Sequence, residues 1–249
     1  MLTPQDWHHR FEQQARWTEQ VRRFLFSNLA LANRPRGLEV GCGTGAVASE
    51  IRRWGVPQVH GVDLRRDFLR LAGQLDPDLH RCQSNALSLP YREDSFDFVF
   101  CHYFLLWLSE PLRAVHEMRR VTHPGGPILV LAEPDYGGRI DYPESLAEFG
   151  RLQAQALHRQ GADPQIGRKL AGLLYSAGLT QVYSGVLGGQ WGQPFDANEP
   201  AAEWSILEND LIGQVSPHSM SEFQRQDTAA WQSGERILYI PTFYAWGFA

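Results

Sequence analysis

Three glycines, Gly41, Gly43 and Gly45, fall within five residues of the stretch LEVGCGTGAVASEI, which begins at Leu38. They separate an apolar run, typical of a buried strand, from an amphipathic run, typical of a helix. In such a strand–turn–helix unit, glycines let the chain turn tightly and bring backbone N–H groups against a ligand. The spacing fits the G-x-G-x-x-A fingerprint of dinucleotide sites as well as the G-x-G-x-G of other nucleotide-type cofactors. The glycines therefore predict a cofactor site without naming the cofactor.

A carboxylate follows at the distance expected for a ribose contact. Asp63 stands next to last in the stretch QVHGVDL, 22 residues after Gly41. A carboxylate at the end of the second strand can accept hydrogen bonds from both ribose hydroxyls. The glycines and Asp63 together predict an adenosine-type ligand over the carboxyl ends of the strands.

The lysine content excludes two catalytic motifs. The 23 basic residues include one lysine, Lys169, which follows Arg168. The sequence therefore lacks a G-K-[ST] phosphate loop. Gln165 stands four residues before the lysine, so a Y-x-x-x-K dehydrogenase pair is also missing.

Charge and composition restrict the partners and the compartment. A net charge of −5 and a pI near 6.0 give no long-range attraction to phosphate backbones, so no nucleic-acid partner is expected.

The three cysteines show no C-x-x-C spacing, and His8 and His9 lack a third ligand, so no metal site is predicted. The longest apolar run, FVFCHYFLLWL, is shorter than the ~18 residues of a membrane span. Because the N-terminal segment carries charges where a signal peptide is apolar, a cytoplasmic protein is expected.

Strand and helix patterns alternate between Arg36 and Glu133. Such alternation implies a parallel sheet with helices on both faces. A helix is predicted over residues 1–32. The tail is predicted to hold two helical stretches, a mostly helical segment over residues 197–232, and an antiparallel pair of strands at the sheet edge, TQVYSGVLGG and RILYIPTFYAWG. The alternating strands are RGLEV, QVHGVDL, DLHRCQS, SFDFVFC and PILVLAEP, and the helices are TGAVASEIRRW, RDFLRLAGQL and EPLRAVHEMRRV.

Four stretches in this order resemble the class I S-adenosylmethionine (SAM) dependent methyltransferases: LEVGCGTG, GVDL, SNALSLPYREDSFDFVFC and EMRRVTHPGGPILVLAEP. They are most similar to the type-11 small-molecule group, which includes ubiquinone and menaquinone C-methyltransferases. The resemblance implies a Rossmann-like, seven-stranded, mostly parallel α/β sheet with an antiparallel last strand. It also implies SAM as cofactor, S-adenosylhomocysteine as product and a small-molecule acceptor.

The same resemblance implies how the chain is divided. Residues 1–249 would form a single methyltransferase domain, with no membrane span. Residues 1–35 would be an N-terminal helical lid, residues 36–135 the SAM-binding core, and residues 136–249 a substrate lid together with the last strands.

The resemblance also implies which residues contact the cofactor. Glu39 would order the glycine loop and the methionine end of SAM, and Asp63 would hold the ribose with Leu64 against the adenine. Family members usually carry Asp-Ala where this chain has Asn85-Ala86. The Asn85 oxygen can still accept from the adenine amino group, but without a charge; alternatively, Asn85 is only a turn residue. The full predicted set is Trp17, Glu39, Gly41, Cys42, Gly43, Gly45, Asp63, Leu64, Asn85, Ala86 and Cys101.

His102 and Tyr103 follow the fourth strand, at the end that faces the transferred methyl group in this architecture, and they are the predicted catalytic residues. Methyl transfer is an in-line displacement, in which positioning contributes up to ~7–11 kcal/mol and a general base is optional. His102 is the best candidate for a base, because an ordinary histidine titrates near ~6.5; the alternative is a packed histidine that binds a backbone carbonyl.

Residues after the fifth strand are predicted to orient a polar acceptor. Asp135, Tyr136 and Arg139 lie in AEPDYGGRIDYP, on the same rim of the sheet as His102. The alternative for this stretch is a simple turn.

Two other functions share part of this pattern. An NAD-dependent oxidoreductase would also use the glycine loop and Asp63, although the missing Y-x-x-x-K pair and residues 84–135 count against it. A SAM-binding partner subunit without catalytic activity is favoured slightly by Asn85. The prediction is SAM-dependent methyl transfer to a small molecule by in-line displacement.

Overall fold

The computed structural model describes residues 2–189, 204 and 207–249. Five strands of the alternating part lie side by side and are parallel, because each is followed by a connection that crosses back over the sheet. They are β1 (Arg36–Val40), β2 (Gln58–Asp63), β3 (His80–Gln83), β4 (Phe98–Cys101) and β5 (Pro127–Pro134). All eight residues of β5 and all four of β4 are buried, as expected for strands covered on both faces.

Two strands from the tail extend this sheet beyond β5. The remaining strands are β6 (Ile140–Tyr142), β7 (Thr180–Leu187), β8 (Ile237–Tyr239) and β9 (Thr242–Phe248). The order of the seven-stranded sheet is β3-β2-β1-β4-β5-β9-β7, and β9 is antiparallel to both β5 and β7. The predicted seven-stranded, mostly parallel sheet with an antiparallel last strand is confirmed.

The prediction of one strand at RILYIPTFYAWG is wrong, because the structure divides this stretch into β8 and β9. Pro241 lies between them, and proline cannot donate to a ladder and fixes its own φ. β8 pairs with β6 in a separate two-stranded sheet, in which Ile140 lies opposite Tyr239. The chain then enters the main sheet as β9.

Most of the helices pack on the main sheet, and the fifth helix packs on β6. The helices are α1 (Pro4–Asn28), α2 (Ala46–Arg53), α3 (Arg66–Leu75), α4 (Pro111–Val121), α5 (Ala147–Arg159), α6 (Leu170–Ser176) and α7 (Pro217–Ser233). α1 begins with a capping box in which Thr3 and Asp6 bind each other's backbone N–H groups. It packs against α2, α3 and β5, so the N-terminal segment is attached to the core along its length.

The hydrophobic core lies on both faces of the sheet. The loops that follow the parallel strands lie outside this core, at the carboxyl edge of the sheet. Side chains such as Leu38, Val99 and Ile128 are fully buried. The loops after β1, β2 and β4 therefore meet at one edge, where ligands bind in open parallel sheets. Residues 190–203, 205 and 206 of the predicted substrate lid lie outside the described residues.

Candidate active site

The loop between β1 and α2 is built from glycines in left-handed conformations. Gly41, Gly43 and Gly45 have φ values of +74°, +53° and +79°, which residues other than glycine rarely adopt. A Cβ atom on Gly41 would lie 2.0 Å from the ring of Phe104, and one on Gly43 would lie 2.8 Å from the ring of Phe11. Two aromatic rings from other parts of the chain therefore approach the loop where side chains are missing.

Glu39 fastens this loop to the helix that follows. Its Oε2 accepts the backbone N–H of Ala48 at 2.8 Å, within the first turn of α2, where a negative charge is favourable. Burial raises the pKa of Glu39 well above its ordinary value, although the Ala48 N–H and the charge of Arg22 act in the opposite direction. Glu39 also lines the cavity described below.

Asp63 ties the end of β2 to the glycine loop. Its Oδ2 accepts the backbone N–H of Gly43 at 2.8 Å, and its Oδ1 accepts that of Arg65 at 2.8 Å. Each carboxylate oxygen keeps a second lone pair. Asp63 can therefore hold the loop and accept two hydroxyl groups at the same time.

A cavity of about 430 Å³ opens at this edge of the sheet. Its volume lies within the range of small-molecule and cofactor sites. Ten predicted site residues line it: Glu39, Gly41, Cys42, Gly43, Asp63, Leu64, Asn85, Ala86, His102 and Tyr103. The structure therefore brings most of the predicted cofactor residues and both predicted catalytic residues to one cavity.

Three predicted cofactor residues do not line the cavity. Trp17 lies on the outer side of α1, 45% exposed, with the Arg10 guanidinium 4.9 Å from its ring centre. Gly45 is the N-cap of α2, and a Cβ there would meet Leu79. Cys101 is fully buried in the core at the end of β4, where burial raises the pKa of its thiol.

Asn85 lies in the cavity wall and also makes a local turn. Its Oδ1 accepts the backbone N–H of Leu87 at 2.9 Å. This hydrogen bond is the one expected if Asn85 is a turn residue. The second lone pair of Oδ1 and the amide N–H groups can still bind a ligand.

The loop after β4 carries His102 and Tyr103 in an uncommon conformation. Tyr103 has a φ of +48°, in the left-handed region that bulky residues rarely adopt, and its N–H donates to the carbonyl of Ala132 at 2.8 Å. Its ring centre lies 4.8 Å from that of His102. Strain of this kind is concentrated at functional sites, and here it lies in the cavity wall.

Glu133, at the end of β5, holds the next part of the same loop. Its Oε1 accepts the backbone N–H groups of Phe104 and Leu105 at 2.8 and 2.6 Å, and its Oε2 accepts that of Leu106 at 3.2 Å. Burial raises the pKa of Glu133 to about 7 in spite of these three hydrogen bonds. The carboxylate fixes the segment whose aromatic side chain reaches Gly41.

The structure does not bring the predicted acceptor residues Asp135, Tyr136 and Arg139 to the cavity lining. Asp135 caps a short 3-10 turn and forms a two-pronged ion pair with Arg168. Tyr136 packs against the core.

Arg139 belongs to a buried charged network instead. It donates to Asp141 Oδ2 at 2.6 Å and to Gln153. Arg236 also reaches Asp141, with its Nη2 2.9 Å from Oδ1. These side chains join the β6–β8 sheet to α5.

Several cavity residues were not singled out from the sequence. Trp7, Phe11 and Gln14 lie on one face of α1, and their spacing of four and three residues is the signal that could have identified them. Phe104, Trp107 and Leu108 follow the catalytic candidates, and Phe68 projects from α3. Much of the wall is therefore aromatic.

Within the described residues, none of the helices combines the length and apolar character that crossing a membrane requires. In the same ranges, no group of three or more His, Cys, Asp or Glu side chains is arranged to hold a metal ion.

Residues 38–130 match the family model described as "Methyltransferase domain". The demethylmenaquinone methyltransferase of Bacillus subtilis (strain 168) is 28% identical over 202 residues, which cover 72% of this chain and 84% of that protein. An uncharacterised methyltransferase of Schizosaccharomyces pombe is 30% identical over 151 residues, or 55% of this chain. The match spans 54% of the length of the yeast protein.

Solved structures share the fold at low identity. The YcgJ protein from Bacillus subtilis superposes with a TM-score of 0.58 at 19% identity, over 92% of this chain and 98% of that one. Geranyl diphosphate methyltransferase, solved in complex with SAM, gives a TM-score of 0.57 at 13% identity, over 93% of this chain and 84% of that one. At these identities the similarity concerns the architecture.

Proposed function

Because the chain belongs to the class I SAM-dependent methyltransferases, we propose that it methylates a small, partly apolar acceptor bound between α1 and the loop after β4. The observation that carries this proposal is the shared cavity. The glycine loop and Asp63 line it together with His102, Tyr103 and a group of aromatic side chains. A cofactor platform and an acceptor wall thus face the same space.

The residues at the glycine loop fit the cofactor. Asp63 keeps lone pairs for the ribose hydroxyls beyond its two backbone contacts. Leu64 is 61% exposed beside it, and Phe68 lines the same wall, so apolar surface is available to the adenine. Glu39 would order the loop beside the methionine part. When bound, SAM supplies an electrophilic methyl group on a positively charged sulfur.

The chain's own contribution to the reaction is to position the acceptor, exclude water and take a proton. The rings of Trp7, Phe11, Phe104 and Trp107 give the acceptor apolar contacts and keep water from the reacting atoms. Holding the nucleophile in line is worth up to ~7–11 kcal/mol. His102 is the side chain proposed to take the proton of the acceptor, with Tyr103 beside it.

We infer a single methyltransferase domain, supported by β7 and β9, which lie beyond residue 136 and complete the sheet of the core. Cys42, Cys82 and Cys101 are all free thiols, which is usual in the reducing cytoplasm, and we propose that compartment. The net charge of −5 supports a small-molecule partner over nucleic acid.

Calorimetric titration with SAM, S-adenosylhomocysteine and NAD tests the cofactor, and transfer of labelled methyl from SAM tests the activity. The acceptor panel should include demethylmenaquinone, because the Bacillus subtilis relative is named for it. Tight SAM binding without turnover on any acceptor in a cell extract would favour the SAM-binding partner subunit. Binding of NAD in preference to SAM would favour the oxidoreductase.

A further inference from the structure

A side chain of α1 binds the predicted catalytic histidine directly. Thr18 Oγ1 lies 2.8 Å from His102 Nε2. Thr18 is 1% exposed and continues the face of α1 that carries Phe11 and Gln14, which line the cavity. The N-terminal helix therefore contacts the reacting end of the site through a polar group as well as through its aromatic rings.

The other partners of Thr18 favour one direction for this hydrogen bond. Arg22 Nη1 donates to Thr18 Oγ1, and a guanidinium can only donate. Two helix carbonyls lie within reach of the single hydroxyl proton of Thr18, that of Gln14 at 2.9 Å and that of Ala15 at 3.3 Å. With that proton on a helix carbonyl, where threonines inside helices often place it, the remaining lone pair of Oγ1 accepts the Nε2–H of His102 and leaves Nδ1 without a proton.

A buried positive charge lies behind this hydrogen bond. Arg22 is 1% exposed, and its Nε donates to Glu50 Oε2 on α2 at 2.7 Å. Burial and the Arg22 charge together lower the pKa of His102 well below its ordinary value.

The other charged groups near the histidine act elsewhere. Glu39 on β1 and Glu50 act on Arg22, Glu133 on β5 binds the backbone beyond Tyr103, and Tyr103 lies beside the imidazole. Burial and the Arg22 charge, which lower the pKa of His102, therefore both favour the neutral imidazole.

We propose that Thr18 and Arg22 are positioning residues of the active site, which hold His102 as the neutral tautomer protonated at Nε2 and leave Nδ1 to accept the proton of a hydroxyl acceptor. This inference rests on the proposed function. In the step, an oxygen lone pair forms the bond to the methyl carbon, and the C–S electron pair returns to sulfur. The hydroxyl proton moves to Nδ1 and then to solvent.

A base beside the transferred methyl group is most useful to a hydroxyl acceptor. A hydroxyl oxygen becomes a strongly acidic oxonium as its bond to carbon forms, so even a weak base takes its proton. An amine becomes a stable ammonium ion and needs no base. The arrangement therefore favours a hydroxyl group as the methylated group.

The tautomer is tested in the wild-type protein by nitrogen NMR of ¹⁵N-histidine-labelled chain, with His102→Gln used to assign the signal. We expect one neutral form protonated at Nε2, titrating well below the ordinary histidine range of ~6.5. A form protonated at Nδ1, or a titration near ~6.5, would overturn the proposal. This readout does not depend on activity or on bound SAM.

Variants of the two positioning residues give the second test. Thr18→Val removes the hydroxyl and should lower kcat at least tenfold, which is a part of the ~10²–10⁴-fold that a general base contributes. Thr18→Ser keeps a hydroxyl and should retain the wild-type kcat. Arg22→Met combined with Glu50→Gln removes the buried guanidinium charge together with the carboxylate that pairs with it. The pKa of His102 should then move toward ~6.5, and an acid limb should appear in the pH profile of kcat/KM. Arg23→Met, on the exposed side of α1, is the matched control and should change neither.

Calorimetry separates this inference from the proposed function. The Kd for SAM should stay within about twofold of the wild-type value in Thr18→Val. Equal kcat and an unchanged tautomer in that variant would contradict the positioning role. Failure of the wild-type protein to bind SAM would contradict the proposed function, and the tautomer measurement would still decide the arrangement around His102.

Discussion

The carboxylate of Asp63 accepts the backbone N–H of Gly43 at 2.8 Å, which joins the end of β2 to the glycine loop after β1. The carboxylate that is predicted to bind the ribose therefore also holds the glycine loop in place. A single side chain connects the two elements of the cofactor platform.

Replacing Asp63 with alanine should weaken SAM binding by about 2–4 kcal/mol, because two charge-assisted hydrogen bonds to the ribose and one to the loop are lost. Calorimetry with SAM measures the change. Asp67→Ala is the control, since Asp67 pairs with Arg65 on the surface and does not line the cavity. Equal affinities for wild type and Asp63→Ala would exclude the proposed ribose contact.

Gly41→Ala should destabilise the protein more than Gly55→Ala. Both glycines have positive φ, so both substitutions cost about 1–2 kcal/mol in backbone strain. A Cβ on Gly55 meets no atom within 4 Å, whereas one on Gly41 meets the Phe104 ring at 2.0 Å. Urea unfolding should show a further loss of about 1–3 kcal/mol for Gly41→Ala, reduced in the double variant with Phe104→Ala. Equal losses for the two glycines would contradict the close approach of Phe104.

The order of strands and helices could be predicted from the sequence because each element has a clear hydrophobic period. β5 and α3 begin and end where PILVLAEP and RDFLRLAGQL do. The glycine loop and Asp63 were found because their types and spacing are short-range signals. The separate β6–β8 sheet was missed, since strands of three residues carry no period and their pairing joins residues far apart in the chain.

Contacts between distant side chains could not be predicted. Trp17 was predicted from its place on the N-terminal helix, but its side chain lies on the outer side of α1, whereas Phe11 lines the cavity. Arg139 follows β5 at the carboxyl edge of the sheet, as predicted, but its guanidinium binds Asp141 and does not line the cavity. The pairing of Thr18 with His102 joins residues 84 positions apart, and no local pattern indicates it.

Glu133 should make the stability of the protein depend on pH. Its pKa is about 7 in the folded chain against an ordinary value of 4.5, so its contribution is fully present below pH 4.5 and is lost as the pH rises through 7. The difference in unfolding free energy between wild type and Glu133→Gln should fall by about 3 kcal/mol over that range. Urea unfolding at several pH values measures it, with exposed Glu93→Gln as control. A constant difference would contradict the raised pKa.

Asp141→Asn should destabilise the fold by about 3–5 kcal/mol without altering SAM affinity. The substitution leaves the buried guanidinium groups of Arg139 and Arg236 without their shared carboxylate. Thermal unfolding and calorimetry measure the two effects. Glu19→Gln breaks an exposed ion pair with Arg23 and should cost less than about 1 kcal/mol. If Asp141→Asn instead weakened SAM binding with intact stability, this network would belong to the active site.

In the proposed active site, one cavity joins the SAM-binding residues to an acceptor wall that contains His102. The most direct measurement combines calorimetric SAM binding with transfer of labelled methyl to acceptors from a cell extract, for wild type, Asp63→Ala and His102→Gln. We expect Asp63→Ala to lose SAM affinity. We expect His102→Gln to bind SAM like wild type but to transfer methyl about 10²-fold more slowly or worse. Wild-type protein that binds NAD and not SAM, or a His102→Gln variant with undiminished transfer, would contradict this proposed active site.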